Sequence, residues 1–494
     1  ARPMGFRTLT CPIAKECGGC EWLAVPYPIQ LRRKREAVEE LFRDYLEDAR
    51  HGATVDELRI YGMDDPVAFR HKAATPFAPG KRGFVRSGFY ARGTHRIVPC
   101  SACLTEDPRC RPILNAVARI SSELGIRAYD EDKGTGLLRH GVVRTGWKSN
   151  EGLLTLVTNG DSFPHAKELA KAVAQKAKVR LSVVQNVNQR RTNAILGFKN
   201  KTLLGSGVMH DRLLDVEFTV GPTSFYQTNP EQTEVLYSLA IAQSRLDAGM
   251  RVLDAYCGIG TIGLCAAHQV EGLEVVGVER VEGAVADARR NAKANGLEQQ
   301  ARFVCADATS YMIDAARAGR KFDGVILDPP RAGSTSEFLS ALCTLAPERV
   351  VYVSCNPQTQ RRDVDLLVRQ GYELDALAVV DLFPQTKHAE TVAVLSRKSA
   401  SKSFIPVSIS PKDMGLSEEK EQPTYANICD YVQKTHGMKV SSLYVAQMKA
   451  ECGLETQADR SGDKKQPKCP PEKREAILDA FRHFGLMGED ETEK

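Results

Sequence analysis

Between residues 250 and 398, short apolar runs alternate with stretches of helical period. Val252–Ala255, Glu274–Glu279, Phe303–Asp307, Gly324–Asp328 and Arg349–Ser354 read as strands, three of them ending in an acid. Thr261–His268 and Ala284–Asn295 read as helices between them. Strand–helix alternation of this kind predicts an α/β fold with a doubly wound parallel sheet.

The rest of the chain has different rhythms. Residues 28–49 predict a charged helix whose apolar stripe is Leu31, Val38, Leu41, Phe42 and Tyr45. Arg32-Arg33-Lys34-Arg35 lies in its first turns, either facing phosphates or forming a solvated face. Residues 67–220 predict a mixed α+β module. Its strands are Ala73–Pro79, Gly83–Tyr90, Gly141–Trp147, Gly152–Thr158 and Arg180–Asn186, and its helix is Pro164–Lys178. Pro230 is placed to open a helix running to about residue 246. A polar linker then leads into a helical tail, where Tyr425–His436 and Val440–Cys452 form a helix-turn-helix pair or a structural cap. The plan is therefore a cysteine segment (1–27), a helical segment packing on the catalytic domain (28–66), a central α+β domain (67–220), the α/β domain (221–398), a linker (399–422) and a helical module (423–494).

Composition is that of an ordinary globular protein. There is no run of eighteen apolar residues and no signal-peptide core at the start, so a cytoplasmic protein without membrane attachment is expected. Charge changes the picture more. The net charge is +5, but residues 1–210 carry 34 Lys+Arg against 21 Asp+Glu, and the remainder is acidic overall. Arg70, His71, Lys72, Arg86, Arg92, Arg139, His140, Arg144, Arg190 and Arg191 are interleaved with the strands of the central module. A basic surface of this kind suits folded or single-stranded RNA joined to a catalytic body.

Candidate chemistry gathers at three places. Cys355 follows the strand Arg349–Ser354 and precedes Asn356-Pro357. A thiol at the carboxyl end of a strand is where open α/β sheets keep reactive groups. Asp254, Gly258, Gly260, Glu279 and Asp307 stand in the order of an S-adenosylmethionine (SAM) methyltransferase, with Glu279 able to accept ribose hydroxyls. An NAD site shares only that last feature. Fourteen cysteines in a chain of this kind point to metal ligands, nucleophiles or core packing rather than disulfides. Cys11-x5-Cys17-x2-Cys20 with Cys100-x2-Cys103 is compatible with a cubane iron–sulfur cluster on Cys11, Cys17, Cys20 and one later cysteine. It is equally compatible with zinc on Cys17, Cys20, Cys100 and Cys103.

From about Cys11 to Arg397 the chain resembles the RNA (uracil-5-)-methyltransferases. The motifs that carry the resemblance are Cys11-x5-Cys17-Gly18-Gly19-Cys20, Phe225-Tyr226-Gln227-Thr228-Asn229, Asp254 through Thr261, Leu327-Asp328-Pro329-Pro330-Arg331, Val353-Ser354-Cys355-Asn356-Pro357 and His388-Ala389-Glu390-Thr391-Val392. The resemblance implies a Rossmann-like SAM domain, with Cys355 as nucleophile and Glu390 as base. It implies cofactor contacts from Gln227, Tyr256, Thr261, Glu279, Asp307 and Asp328, where Thr261 replaces the Asn of many members. It implies a [4Fe–4S] cluster on Cys11, Cys17, Cys20 and Cys103. The substrate it implies is a uridine of RNA, 23S rRNA in preference to tRNA, with no obligate protein partner. An amino-methyltransferase, whose usual Asn-Pro-Pro-Tyr is here Asp328-Pro329-Pro330-Arg331, and a silent RNA-binding protein with a structural metal are the alternatives. With the cysteine motif starting at residue 11, the oligonucleotide-binding barrel that ribosomal members often carry at the amino terminus is not expected here, and the module after residue 420 is expected to lie outside the family core.

Overall fold

A computed structural model describes residues 8–46, 58–397, 424–452, 469–484 and 486. The chain divides into two units, Ala1–Val407 and Ser408–Lys494.

The first unit contains two large sheets. In chain order its strands are β1 (Arg59–Tyr61), β2 (Lys72–Pro79), β3 (Val85–Tyr90), β4 (Ile97–Pro99), β5 (Leu138–Thr145), β6 (Glu151–Thr158), β7 (Arg180–Val187) and β8 (Lys199–Leu204). A hairpin follows, β9 (Met209–Leu213) and β10 (Val216–Val220). The α/β region holds β11 (Arg251–Ala255), β12 (Glu274–Glu279), β13 (Ala301–Cys305), β14 (Gly324–Leu327), β15 (Arg349–Ser354), β16 (Tyr372–Val380) and β17 (Glu390–Arg397).

The central sheet runs β4-β3-β2-β5-β6-β7-β8 and is antiparallel except where β6 pairs β7. That parallel step needs a crossover, and the helix Ala166–Ala174 makes it. A second helix, Cys110–Glu123, was not anticipated; it packs Ile113, Leu114, Val117 and Ile120 onto the same sheet face. The predicted strands are present with shifted ends. Gly83 falls in a short turn before β3, and Gly146 and Trp147 lie beyond β5.

The catalytic sheet has eight strands in the order β1-β16-β17-β15-β14-β11-β12-β13. Its core strands are parallel, as the alternation predicts, but β17 is antiparallel to both β15 and β16. β1 enters from the far amino-terminal side and pairs Arg59–Tyr61 with Ala378–Val380. The segment assigned to a helical 28–66 region therefore also supplies an edge strand, which three residues are too few to announce by period. The helix expected over 28–49 spans Tyr27–Leu41, breaks at Phe42, and resumes as Arg43–Leu46. Val38 and Phe42 of this segment join Leu253, Val325, Tyr352 and Leu377 in one continuous apolar core.

In the second unit, the helices Tyr425–His436, Ser442–Glu451 and Pro471–His483 bury Ile428, Val432, Met448, Ile477 and Phe481 together. The proposed linker 399–422 lies outside the described residues. No helix among the described residues is long and apolar enough to cross a membrane.

Candidate active site

Parallel strands collect their carboxyl ends along one sheet edge, and the predicted acids fall there. Asp254 lies in β11, is buried, and accepts the Gly263 backbone N–H at 2.9 Å. Burial pushes its carboxyl up to about 7, with Asp328 and Glu279 adding to the rise. Glu279 ends β12 and accepts N–H groups from Gly258 (3.3 Å) and Val281 (2.8 Å). Asp307 does not end β13, as expected, but lies two residues beyond it. There it caps the helix Ala308–Arg317 by accepting the Ser310 N–H at 3.1 Å.

The turn after β11 requires its glycines. Gly258 and Gly260 have φ of 57° and 82°, and a Cβ on Gly260 would stand 2.9 Å from the Phe303 ring. Tyr256 also takes a left-handed φ of 65°, and its ring lies 5.5 Å from that of Phe338. Thr261 opens the following helix, with its hydroxyl 3.0 Å from that of buried Tyr237. Gln227 is half-buried and lies two residues before Asn229. The Asn229 side chain caps the helix Pro230–Ser244 and donates to Leu382 O at 3.1 Å.

Cys355 and Glu390 come from the ends of two neighbouring strands. β15 and β17 pair Ser354 with Thr391, and Cys355 directly follows the first of these residues while Glu390 directly precedes the second. Cys355 is half-buried and Glu390 is buried. The thiol is raised to about 11, first by burial and then by the negative charges of Glu390 and Asp328, with Arg331 opposing them. Glu390 is held well above the ordinary carboxylate range by burial and then by Asp328, again with Arg331 opposing. Burial lifts Asp328 to about 7. Cys355, Glu390, Asp328 and Arg331 thus share one electrostatic neighbourhood.

Supports for this group were not legible in the sequence. Asp363, buried, accepts Tyr352 OH at 2.7 Å and Ser334 N–H at 2.9 Å. Arg362 donates to Asp363 and to the carbonyls of Ala332 and Ser334. Asn356 Nδ2 donates to Arg331 O at 3.0 Å. Together they pin the loop after Asp328 against the turn that carries Cys355. Lys34, assigned to a phosphate-facing or solvated cluster, is neither: it is buried and paired with Asp381. Only a carboxylate more than three hundred residues away makes that burial tolerable, and local pattern cannot show it.

The cysteine segment lies against the central sheet. Cys17 ends a single helical turn, and Gly18 after it takes φ of 64° with no room for a Cβ beside Arg92. The Cys17 and Cys20 thiols are raised, first by burial and in part by the charges of Cys103 and Cys11, Cys20 to about 11. Cys100 is buried and is raised by Cys103 and Cys17. Among the described residues no group of three or more His, Cys, Asp or Glu side chains stands in metal-holding geometry.

The tRNA (Uracil-5-)-methyltransferase family model matches residues 161–398. An uncharacterized RNA methyltransferase of Halalkalibacterium halodurans is 40% identical over 389 residues, covering 79% of this chain and 83% of its own length. One from Staphylococcus aureus is 38% identical over 390 residues, covering 78% and 84%. In structure, the chain is similar to the Pyrococcus abyssi tRNA (uracil-54, C5)-methyltransferase in complex with S-adenosyl-L-homocysteine. That likeness has a TM-score of 0.63 and 26% identity, over 76% of this chain and 85% of that one. With the reactive strand ends, the glycine turn and these relatives in agreement, the chain belongs to the RNA (uracil-5-)-methyltransferase family.

Proposed function

We propose that this enzyme methylates carbon 5 of a specific uridine in 23S rRNA through a covalent adduct between Cys355 and the base. The observation that supports it most directly is the β15/β17 register, whose last pair, Ser354 and Thr391, is flanked by a thiol on one strand and a buried carboxyl on the other. Uracil C5 is too weak a nucleophile to react unaided. Attack of the Cys355 sulfur on C6 makes an enolate with carbanion character at C5. Bound SAM, held by Gln227, Tyr256, Thr261, Glu279, Asp307 and Asp328, supplies an electrophilic methyl group. Arg331 stabilises the negative charge that develops on the base. Glu390 then takes the C5 proton, the electron pair restores C5=C6, and Cys355 leaves as thiolate. The target base has to leave its stack to meet both groups.

A tRNA uridine is the second reading, favoured by the likeness to the Pyrococcus abyssi enzyme, which is named for uracil-54 of tRNA. Transcripts of both RNAs, made with 5-fluorouridine, test the chemistry and the target together. The wild type should form a denaturation-resistant adduct with one of them, and Cys355→Ala should form none while still binding RNA. A Cys355→Ala enzyme keeping a tenth of normal turnover would sink the covalent mechanism.

The family also implies a [4Fe–4S] cluster, and the charges of Cys103 and Cys11 reach both Cys17 and Cys20, so these four thiols suit it in donor chemistry. Cys11, Cys17, Cys20 and Cys103 would hold it, tying the amino-terminal segment to the central sheet. The methyl transfer is polar and draws no electron from it. Anaerobically purified protein should be brown with about four irons. It should lose them in Cys103→Ser; colourless protein that binds zinc and depends on Cys100 would select the other ligand set.

A further inference from the structure

β16 and β17 close on the pair Val380 and Glu390, so the connection Asp381–Ala389 has the base at one foot. Among the described residues no hydrogen bond holds the Glu390 carboxyl. Its place is set by its backbone, and so by what holds that connection. We propose that the amino-terminal helix Tyr27–Leu41 positions Glu390 through a two-point clasp, Lys34 on Asp381 and Gln30 on Gln385.

The first point is at the foot opposite the base. Lys34 Nζ lies 2.5 Å from Asp381 Oδ1, with both side chains wholly enclosed, and also donates to Phe383 O at 3.1 Å. Tyr27 OH donates to the other Asp381 oxygen at 2.8 Å and accepts the Met63 N–H at 2.9 Å. The second point is mid-loop. Gln30 Nε2 donates to Gln385 Oε1, and Gln385 N–H returns the bond to Gln30 Oε1, each at 2.9 Å. Gln385 has φ of 67°, a left-handed conformation that a non-glycine residue adopts only when its surroundings hold it. Its amide also donates to Pro66 O, and its carbonyl accepts the Trp22 N–H at 3.0 Å.

Physics argues that this clasp is for position. An enclosed ion pair gives up two hydration shells and returns little net stability, whereas an apolar pair of the same volume would pack as well. What directional bonds add is a fixed geometry for the strand end they hold, which a reacting carboxylate needs within a fraction of an ångström. Lys34 and Gln30 are one helical turn apart on a single face, so one rigid element grips the loop twice. They are positioning residues, since neither touches the reacting atoms.

The inference rests on the reading of Glu390 as base, and one assay separates the two. RNA on which the wild type is active is made with uridine tritiated at C5 and reacted in a single turnover with methyl-labelled SAM. Methyl incorporation reports attack and transfer; tritium release reports proton removal. Gln30→Ala and Lys34→Met should transfer methyl within about twofold of wild type. They should release tritium at least tenfold more slowly and accumulate the protein–RNA adduct, and Lys34→Arg should recover part of the rate. Lys34→Met strands a buried carboxylate; if it does not fold, Gln30→Ala carries the test. Parallel loss of both signals in Gln30→Ala, matching its folded fraction, would overturn the clasp. So would normal tritium release from Gln30→Ala while Glu390→Gln is slow. Normal release from Glu390→Gln removes the base assignment itself, and the clasp with it.

Discussion

At the scale of single residues, the site is defined by groups whose ordinary protonation is shifted. Cys355 is a protonated thiol near neutrality, because burial and two acids oppose its charge, and Arg331 and a backbone N–H favour it too weakly to compensate. A raised thiol value means that the thiolate fraction grows with pH throughout the accessible range. Adduct formation on 5-fluorouridine RNA should therefore rise about tenfold per pH unit between pH 6 and 8.5. Single-turnover rates across that range are the measurement, and a flat profile would mean that RNA or SAM binding has already lowered the thiol. Glu390 shows the same logic from the other side. Buried beside Asp328, it is held well above the ordinary carboxylate range, which is how a carboxyl becomes a stronger base once it ionises.

At the scale of elements, strand ends and helix starts do the positioning. β17 runs against β15, so a residue at its amino end meets the residue after β15's carboxyl end. A fully parallel sheet would have left Glu390 at the far edge. The helix Pro230–Ser244 shows how tightly a cap can be coupled to this region. Asn229 is buried, accepts the Gln232 N–H at 3.2 Å, and donates to Leu382 O beside the clasped loop. Asn229→Ala removes the cap and orphans a buried carbonyl, so it should cost about 2–4 kcal/mol. A lowered denaturation midpoint would record it. An unchanged midpoint would show that another group takes over both bonds.

At the scale of the molecule, each unit has a core of its own among the described residues. The catalytic core draws on residues 38 to 395 and the central core on residues 73 to 183, whereas the core of the second unit uses only residues 428 to 481. A chain ending at Val407 should therefore fold and bind S-adenosylhomocysteine as the full chain does. Calorimetric titration of both forms checks this. A truncated form that aggregates or loses the ligand would show that the second unit completes the first. If only RNA methylation falls, the helical unit acts on substrate choice.

The motifs declared much of this by themselves. Apolar runs of strand length between helical stretches specify the parallel part of the sheet, because that alternation has few packed solutions. A thiol before Asn356-Pro357, the Gly258 and Gly260 turn, and acids at strand ends are local features, and each stands close to where the pattern put it. What local pattern could not carry was pairing between distant segments. The antiparallel entry of β17 depends on which strand it reaches, not on its own composition. The three residues of β1 become a strand only because β16 offers an open edge. Lys34 reads as one more cation in a basic run, and only Asp381, brought to it by the fold, makes burial of that charge favourable enough to occur. Long-range partners decide the fate of buried polar groups, and a linear sequence does not say which partners will meet.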